Sequence, residues 1–97
     1  MDNILAIMNP FSIDKNPTDI LKELAQRTRT LRKEHKMSQS ELSQRANVSL
    51  GSYKRFESSG HISLDSLLKI AFILGKLNDF ETVFQSNKNK DLEKLFK

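Results

Sequence analysis

Hydrophobic residues recur along most of the chain at intervals of three and four, which is the spacing of a helix with one buried side. The first such stretch follows a start signal, because Asn16 can cap a helix and Pro17 suits its first turn. We expect this helix to run to about His35. No stretch alternates β-branched and polar residues as a half-buried strand would, so we predict an all-α fold. The predicted buried side of the first helix carries Ile20, Leu21, Leu24 and Leu31.

Two short helices are predicted next, separated by a tight turn. Ser38 and Glu41 have the spacing of a capping box, in which each side chain accepts a hydrogen bond from the other residue's backbone amide. The second helix is expected to end before Asn47, which suits the left-handed backbone of a turn. Ser49 then caps a third helix, which we expect to continue to about Ser58.

The polarity pattern predicts two further helices after a breaker around Gly60. Ser63 caps the fourth, and Gly75 is placed to end it. Its apolar positions are Leu64, Leu67, Leu68, Ala71, Phe72 and Leu74. A cap followed by acids starts a short fifth helix at Asn78. That helix carries Phe80, Val83 and Phe84.

The length of 97 residues suits one compact domain rather than two. We predict a five-helix domain over residues 16–85, with short tails at 1–15 and 86–97. The apolar opening of the chain is too short for a membrane span and lacks the basic region of a signal peptide. We therefore expect a cytoplasmic protein that does not bind membranes.

Charge and composition narrow the function. Residues 22–55 hold nine basic and three acidic side chains, a local net charge of +6 within an overall +4, which is typical of a protein that binds a polyanion. The absence of cysteine excludes disulfides, thiolate zinc sites and thiol catalysis. The two histidines lie far apart without a carboxylate cluster, and no catalytic motif occurs. We expect no metal, no cofactor and no enzymatic activity.

The segment 39–57, QSELSQRANVSLGSYKRFE, carries the most informative pattern. Two short helices joined by a turn of a few residues can pack at a steep angle, which leaves the start of the second free to enter a DNA groove. The apolar or small residues that would join them are Leu42, Ala46, Val48, Tyr53 and Phe56. Because Tyr53 and Phe56 are three residues apart, we expect both in the core rather than stacked on bases.

From Leu21 to Leu77 the sequence resembles the Xre/Cro family of helix-turn-helix repressors, which implies a lambda-repressor-like fold. Matching positions are Ser38, Gln39, Glu41, Leu42, Val48, Ser49 and Glu57, and Gly60 stands one residue later than the family's glycine. Ser43 replaces an alanine and Asn47 replaces the turn glycine. Leu50 and Gly51 stand where relatives often carry polar, base-reading side chains.

Seven residues form the predicted DNA-binding site: Gln39, Ser49, Leu50, Gly51, Ser52, Lys54 and Arg55. The resemblance implies a phosphate contact for Gln39 at the start of the second helix. Ser49 and Ser52 can reach phosphates or base edges, although Ser49 also has a capping role. Lys54 and Arg55 point outward, and Arg55 can bind guanine with two hydrogen bonds.

The remaining contacts are predicted to be apolar or electrostatic. Leu50 can touch a thymine methyl group or serve as a buried anchor, whereas Gly51 has no side chain to offer. Weak hydrogen-bonding capacity there suggests that DNA shape and phosphate contacts supply much of the affinity. Basic residues on the outer side of the first helix can meet phosphates at the flank of the groove. They are Arg27, Arg29, Arg32 and Lys33.

The resemblance implies a sequence-selective repressor that binds double-stranded DNA as a homodimer, with Phe80, Val83 and Phe84 either at the dimer interface or in the core. Residues 54–84 are also similar to the antitoxins encoded beside HipA-type kinase toxins. That likeness implies a protein that represses its own operon and binds a kinase toxin. The alternative is a protein-interaction module that has lost base reading; Leu50 and Gly51 favour it, and the basic segment argues against it.

Overall fold

The computed structural model describes residues 15–87, which form four α-helices and one short 3-10 helix. The α-helices are α1 (Pro17–Glu34), α2 (Gln39–Ala46), α3 (Leu50–Ser59) and α4 (Leu64–Ile73), and the 3-10 helix covers Leu77–Phe80. No strand occurs between residues 15 and 87, so the all-α class is confirmed. The predicted tails, 1–15 and 86–97, lie almost wholly outside the described residues.

The prediction of a fifth α-helix is wrong. The chain makes only the 3-10 turn at Leu77–Phe80, followed by turns through Phe84. Asn78, the predicted cap, lies inside that 3-10 turn. The residue that precedes the turn is Lys76, whose side chain makes no capping hydrogen bond. Without a cap the first amides of a helix stay unsatisfied. Phe84 then takes a left-handed backbone with φ of 62°, which a helix does not continue through.

Each α-helix begins at a polar side chain that accepts a hydrogen bond from the amide three residues later. Asn16 forms a complete capping box with Asp19, at 2.9 and 3.2 Å. Ser38 accepts from the Glu41 amide at 2.9 Å, but the Glu41 carboxylate pairs with Arg45 instead of returning to Ser38. The predicted capping box at Ser38 is therefore only half formed, because an ion pair within α2 uses the carboxylate.

Left-handed residues end the helices and set the angles between them. Lys36, Asn47, Gly60 and Gly75 have φ values of 57°, 58°, 88° and 73°. Asn47 therefore makes the predicted turn between α2 and α3. At the end of α4, the Gly75 amide donates to the Phe72 carbonyl and the Lys76 amide donates to the Ala71 carbonyl. Gly75 therefore ends α4 as predicted.

The core lies between the four α-helices, with α1 packed on α3 and α2 packed on both α3 and α4. Its largest fully buried side chains are Tyr53, Phe56, Leu42 and Ile70, and the Tyr53 and Phe56 rings meet edge to face at 6.2 Å. Core roles for Tyr53 and Phe56 are thus confirmed. Three predicted apolar positions face outward instead: Ile20, Leu64 and Phe72 are 49%, 65% and 66% exposed. The helices are apolar over more of their circumference than the core covers.

Candidate nucleic-acid interface

Helix α3 has two faces of opposite character. Its inner face carries Tyr53 and Phe56, which are fully buried, and the Glu57 side chain, which is 6% exposed. Its outer face carries an exposed stripe at the complementary spacing of three and four residues. The stripe consists of Gly51, Lys54, Arg55 and Ser58, all exposed, and we call it the outer stripe. The fold therefore fixes one side of α3 and leaves the other open.

The start of α3 offers few free side-chain hydrogen-bonding groups. Ser49 caps the helix by accepting from the Ser52 amide at 3.1 Å, and its hydroxyl also donates to the Ser52 hydroxyl at 2.8 Å. The Ser49 hydroxyl hydrogen is thus already used, and the Ser52 hydroxyl hydrogen is the one that remains at this end of the helix. Leu50 is 37% exposed and is not the buried anchor of the alternative interpretation. Apolar surface and bare backbone dominate this end of the helix.

The two cations of the outer stripe lie over different neighbours. Lys54 lines a groove shared with Arg29 of α1 and with Ser38 and Gln39 at the start of α2. The first amides of α2 point into solvent at such a helix start, which suits a phosphate oxygen. Arg55 lines a separate depression with Ser63 at the start of α4. The two side chains can therefore reach different parts of a bound ligand.

Gln39 is tied to the inner side of α3 as well as to this groove. Its side-chain amide donates to Glu57 at 2.9 Å, and the residue is half-buried. An amide nitrogen carries two hydrogens, so one remains for a second acceptor. The hydrogen bond to Glu57 fixes the Gln39 side chain beside Lys54 before any ligand arrives.

A buried polar cluster holds α3 against α1. Arg32 donates twice to the Glu57 carboxylate, at 2.8 and 3.2 Å, and once to the Met37 carbonyl at 2.8 Å. The Arg32 and Glu57 side chains are 10% and 6% exposed. Tyr53 also donates its phenol hydrogen to Glu57. With Gln39, the cluster satisfies the carboxylate on both oxygens.

The cluster shifts the pKa values of its members. Burial alone would raise the pKa of the Glu57 carboxyl, but hydrogen bonds from Arg32, Tyr53 and Gln39 outweigh it, so that pKa is lowered. Burial, together with the bond to Glu57, raises the pKa of the Tyr53 phenol. The hydrogen bond to Glu57 raises the pKa of Arg32. At neutral pH the cluster is therefore a charged pair beside a neutral phenol.

The interpretation of Arg32 as an outer phosphate contact is wrong. Its guanidinium is buried in this cluster, whereas Arg29 and Lys33 are exposed. Arg32 and Glu57 are 25 residues apart, so no local spacing indicates that they pair. The sequence offers one related signal, the spacing of four residues between Tyr53 and Glu57. This spacing indicates that the two lie on the same face of a helix, but it does not indicate a contact with Arg32.

Several cations of α1 and α3 make no ion pair with another described residue. In the described part of the chain, Arg27 and Lys15 pair with Glu23, Arg45 with Glu41, and Lys69 with Asp65. The cations of α1 and α3 that make no ion pair with a described residue are Lys22, Arg29, Lys33, Lys54 and Arg55. Cations left without internal partners favour binding of a polyanion.

The described residues offer little to other kinds of site. Between positions 15 and 87 no three histidine, cysteine or acidic side chains come together as metal ligands would. No helix in that range is long and apolar enough to cross a membrane.

Comparison with known proteins identifies the fold's family. The helix-turn-helix family model matches residues 29–77, just over half of the chain, and covers α2, α3 and α4. Neither a curated protein nor a solved structure matches the chain. Members of this family are DNA-binding regulators and are typically not enzymes. The chain, with its turn at Asn47 and its outward-facing α3, belongs to the Xre-type helix-turn-helix family.

Proposed function

We propose that the protein is a sequence-selective transcriptional regulator, acting as a repressor, that inserts α3 into the DNA major groove. The observation that carries this proposal is the outer stripe. The inner face of α3 is fixed by buried contacts and by the ion pair of Glu57 with Arg32. The outer stripe presents exposed cations that make no ion pair with a described residue. An α-helix fits the width of the major groove, and an arginine there can read guanine.

The two cations of the outer stripe have different proposed roles. Lys54 shares its groove with Arg29 and the start of α2, where the remaining hydrogen of Gln39 is also available, so we assign that groove to the DNA backbone. Arg55 lies outside that groove and is assigned to a base edge. Ser49 uses its hydroxyl hydrogen on Ser52, so we assign it to capping, whereas the Ser52 hydroxyl keeps its own hydrogen for a phosphate or base acceptor.

We further propose that a second copy of the chain completes the regulator. Helix α4 carries an apolar strip at positions i, i+4 and i+8, formed by Leu64, Leu68 and Phe72, of which Leu64 and Phe72 are 65% and 66% exposed. A two-fold axis would place two such strips against each other, since an isologous interface uses one patch twice. Two copies can then bind two half-sites one DNA turn apart.

Sedimentation equilibrium tests this interface. The wild type is expected to be a dimer at concentrations of about 10–100 μM, and Phe72→Ser is expected to be a monomer. Phe84→Ser is the comparison variant, because Phe84 is 100% exposed but lies outside the strip. Phe80, another predicted candidate, packs partly buried against the core. A monomeric wild type would contradict the proposal, and dissociation by Phe84→Ser alone would move the interface to residues 83–84.

A narrower form of the proposal is that the protein is the autoregulating antitoxin of a HipA-type kinase toxin. The likeness of residues 54–84 to such antitoxins supports it. The test is co-expression with the product of the neighbouring gene. Co-purification of a kinase with the chain, together with relief of its toxicity, is expected, and a neighbouring gene that encodes no kinase would refute this form alone.

The competing function is a protein-interaction module that does not read DNA. Leu50 and Gly51 favour it, because they place little hydrogen-bonding capacity at the start of α3. The cations without internal partners argue against it, since a surface that contacts no DNA has no need of them.

Fluorescence anisotropy separates the two functions. The full chain is titrated into a duplex from directly upstream of its own gene and into a scrambled duplex, between about 50 and 200 mM salt. A regulator is expected to prefer the upstream duplex by at least about a thousandfold, with a steep salt dependence. Weak binding to both duplexes, together with no enrichment from a random-sequence DNA pool, would refute sequence-selective binding.

A further inference from the structure

The three glycines of the chain differ in what the fold requires of them. Gly60 has a φ of 88°, and a Cβ there would lie 2.7 Å from the Leu21 backbone. Gly75 has a φ of 73° and ends α4. Gly51 has neither feature: its φ lies outside the left-handed range, and a Cβ would meet nothing within 4 Å. The fold has a use for two glycines and none for the third.

Gly51 is also costly where it stands. It is in the first turn of α3, and glycine is among the poorest helix formers because its backbone loses the most freedom on folding. Alanine would fit the same backbone and the same open space. A glycine that weakens its own helix without an internal reason is typical of a position where another molecule approaches the backbone closely.

The location of Gly51 indicates which molecule approaches. Gly51 begins the outer stripe, and Lys54 and Arg55 follow it at three and four residues on the same face. Its neighbour Leu50 is 37% exposed, while Ser49 and Ser52 are bonded to each other. The front of α3 is thus a bare backbone beside an apolar side chain. The apolar feature of the major groove is the C5 methyl group of thymine.

We propose that Gly51 is the point of closest approach between the protein and DNA, and that the missing side chain makes room for a thymine methyl group that Leu50 also contacts. This inference rests on the proposed function and adds a base preference to it. A Cβ at position 51 would occupy the space of the methyl group and lift α3 away from the base edges. Gly51 is then a specificity-determining residue that acts through its shape.

The test is a replacement experiment with duplexes selected from a random-sequence pool by the wild-type full chain. Thymines in the selected half-site are replaced one at a time by uracil, which lacks only the C5 methyl group. We expect Gly51→Ala to bind the thymine duplex at least about tenfold more weakly than the wild type does. At one thymine position, uracil is expected to restore Gly51→Ala to within about threefold of the wild type on the same duplex.

Two measurements keep the test independent of folding and of the proposed function. Gly51→Ala is expected to melt at the same temperature as the wild type or higher, because alanine favours the helix. Gln44→Ala, at an exposed position of α2, is the matched control and is expected to bind both duplexes as the wild type does. Binding by Gly51→Ala within twofold of the wild type, or a loss that no uracil relieves, would overturn the inference. Failure of the wild type to enrich any sequence would overturn the proposed function itself.

Discussion

The two faces of α3 are built on opposite principles. On the inner face, Tyr53 and Phe56 are fully buried, and Glu57 is bonded to Arg32, Tyr53 and Gln39. On the outer stripe, the side chains are exposed, and the two cations make no ion pair with a described residue. The polar and apolar groups on one side of this ten-residue helix are therefore engaged within the protein, whereas the cations on the other side are free to bind another molecule.

This difference separates stability from binding along a single helix. Removing one partner of a buried ion pair leaves an uncompensated charge, which is among the most damaging changes in a small domain. Removing an exposed charge usually changes stability by less than about 0.5 kcal/mol. Substitutions on the inner face are thus expected to unfold the protein, and substitutions on the outer stripe to leave it folded but impaired in DNA binding.

The largest effect is expected from Arg32→Ala. It leaves the buried Glu57 carboxylate without its main partner, and the free energy of unfolding should fall by about 3–5 kcal/mol. Chemical denaturation measures this. Arg27→Ala is the control, because Arg27 makes a 3.5 Å pair with Glu23 from a side chain that is 71% exposed. For Arg27→Ala we expect the free energy of unfolding to fall by less than about 0.5 kcal/mol. Equal effects of the two variants would mean that the buried pair of Arg32 and Glu57 has no special role in stability.

Gly60→Ala should have the next largest effect. The added Cβ would meet the Leu21 backbone at 2.7 Å in a left-handed conformation, so we expect a loss of about 2–3 kcal/mol in thermal or chemical unfolding. Gly51→Ala serves as the matched control, because it places the same methyl group in open space at the other end of α3. If both variants lost stability, the fold would require a glycine at position 51 as well as at position 60, contrary to our interpretation.

Glu57→Gln should remove a pH-dependent contribution that Glu57 makes to the stability of the wild type. The pKa of Glu57 is lowered in the folded protein, so the ionised carboxylate stabilises the fold above its unfolded pKa of about 4.3. That stability is lost as the pH falls through the lower folded pKa. Above pH 5 the free energy of unfolding of the wild type should exceed that of Glu57→Gln by about 2 kcal/mol. This difference should become smaller below about pH 4.

Urea titrations of both proteins from about pH 7 to pH 3 measure this gap. Other carboxylates titrate in both proteins alike, so the difference isolates Glu57. A gap that stays constant to pH 3 would mean that the charge of Glu57 contributes nothing to the inner face.

Lys54→Ala should have the smallest effect, and only on DNA binding. If Lys54 contacts one phosphate, the slope of log affinity against log salt concentration should fall by about 1, equally for the upstream and the scrambled duplex. Stability should change by less than about 0.5 kcal/mol. A loss of affinity for the upstream duplex alone would mean that Lys54 contacts a base and not a phosphate.

Much of the fold was predictable because its signals are local. The caps at Asn16, Ser38, Ser49 and Ser63 mark the helix starts to within one residue, and Asn47 marks the turn. The fifth α-helix was mispredicted because Asn78 looks like a cap but lies within a 3-10 turn. Spacing alone does not tell which apolar positions a core has room to cover, and Ile20, predicted on the buried side of α1, is 49% exposed.

The candidate site divides in the same way. The exposed positions of Gly51, Lys54 and Arg55 follow from helical spacing once Tyr53 and Phe56 are assigned to the core. The pairing of Arg32 with Glu57 depends on how α1 packs on α3, and no local pattern encodes it. The engagement of Ser49 with Ser52 was foreseen only as capping.

Base reading by the outer stripe is tested most directly by the preference of Arg55→Ala for the upstream duplex over the scrambled one. Fluorescence anisotropy measures this preference beside those of the wild type and Arg27→Ala. If the outer stripe reads bases, Arg55→Ala should lose at least about tenfold of the preference at an unchanged melting temperature, and Arg27→Ala should keep it. If Arg55→Ala keeps the full preference, α3 does not read the DNA sequence through its outer stripe.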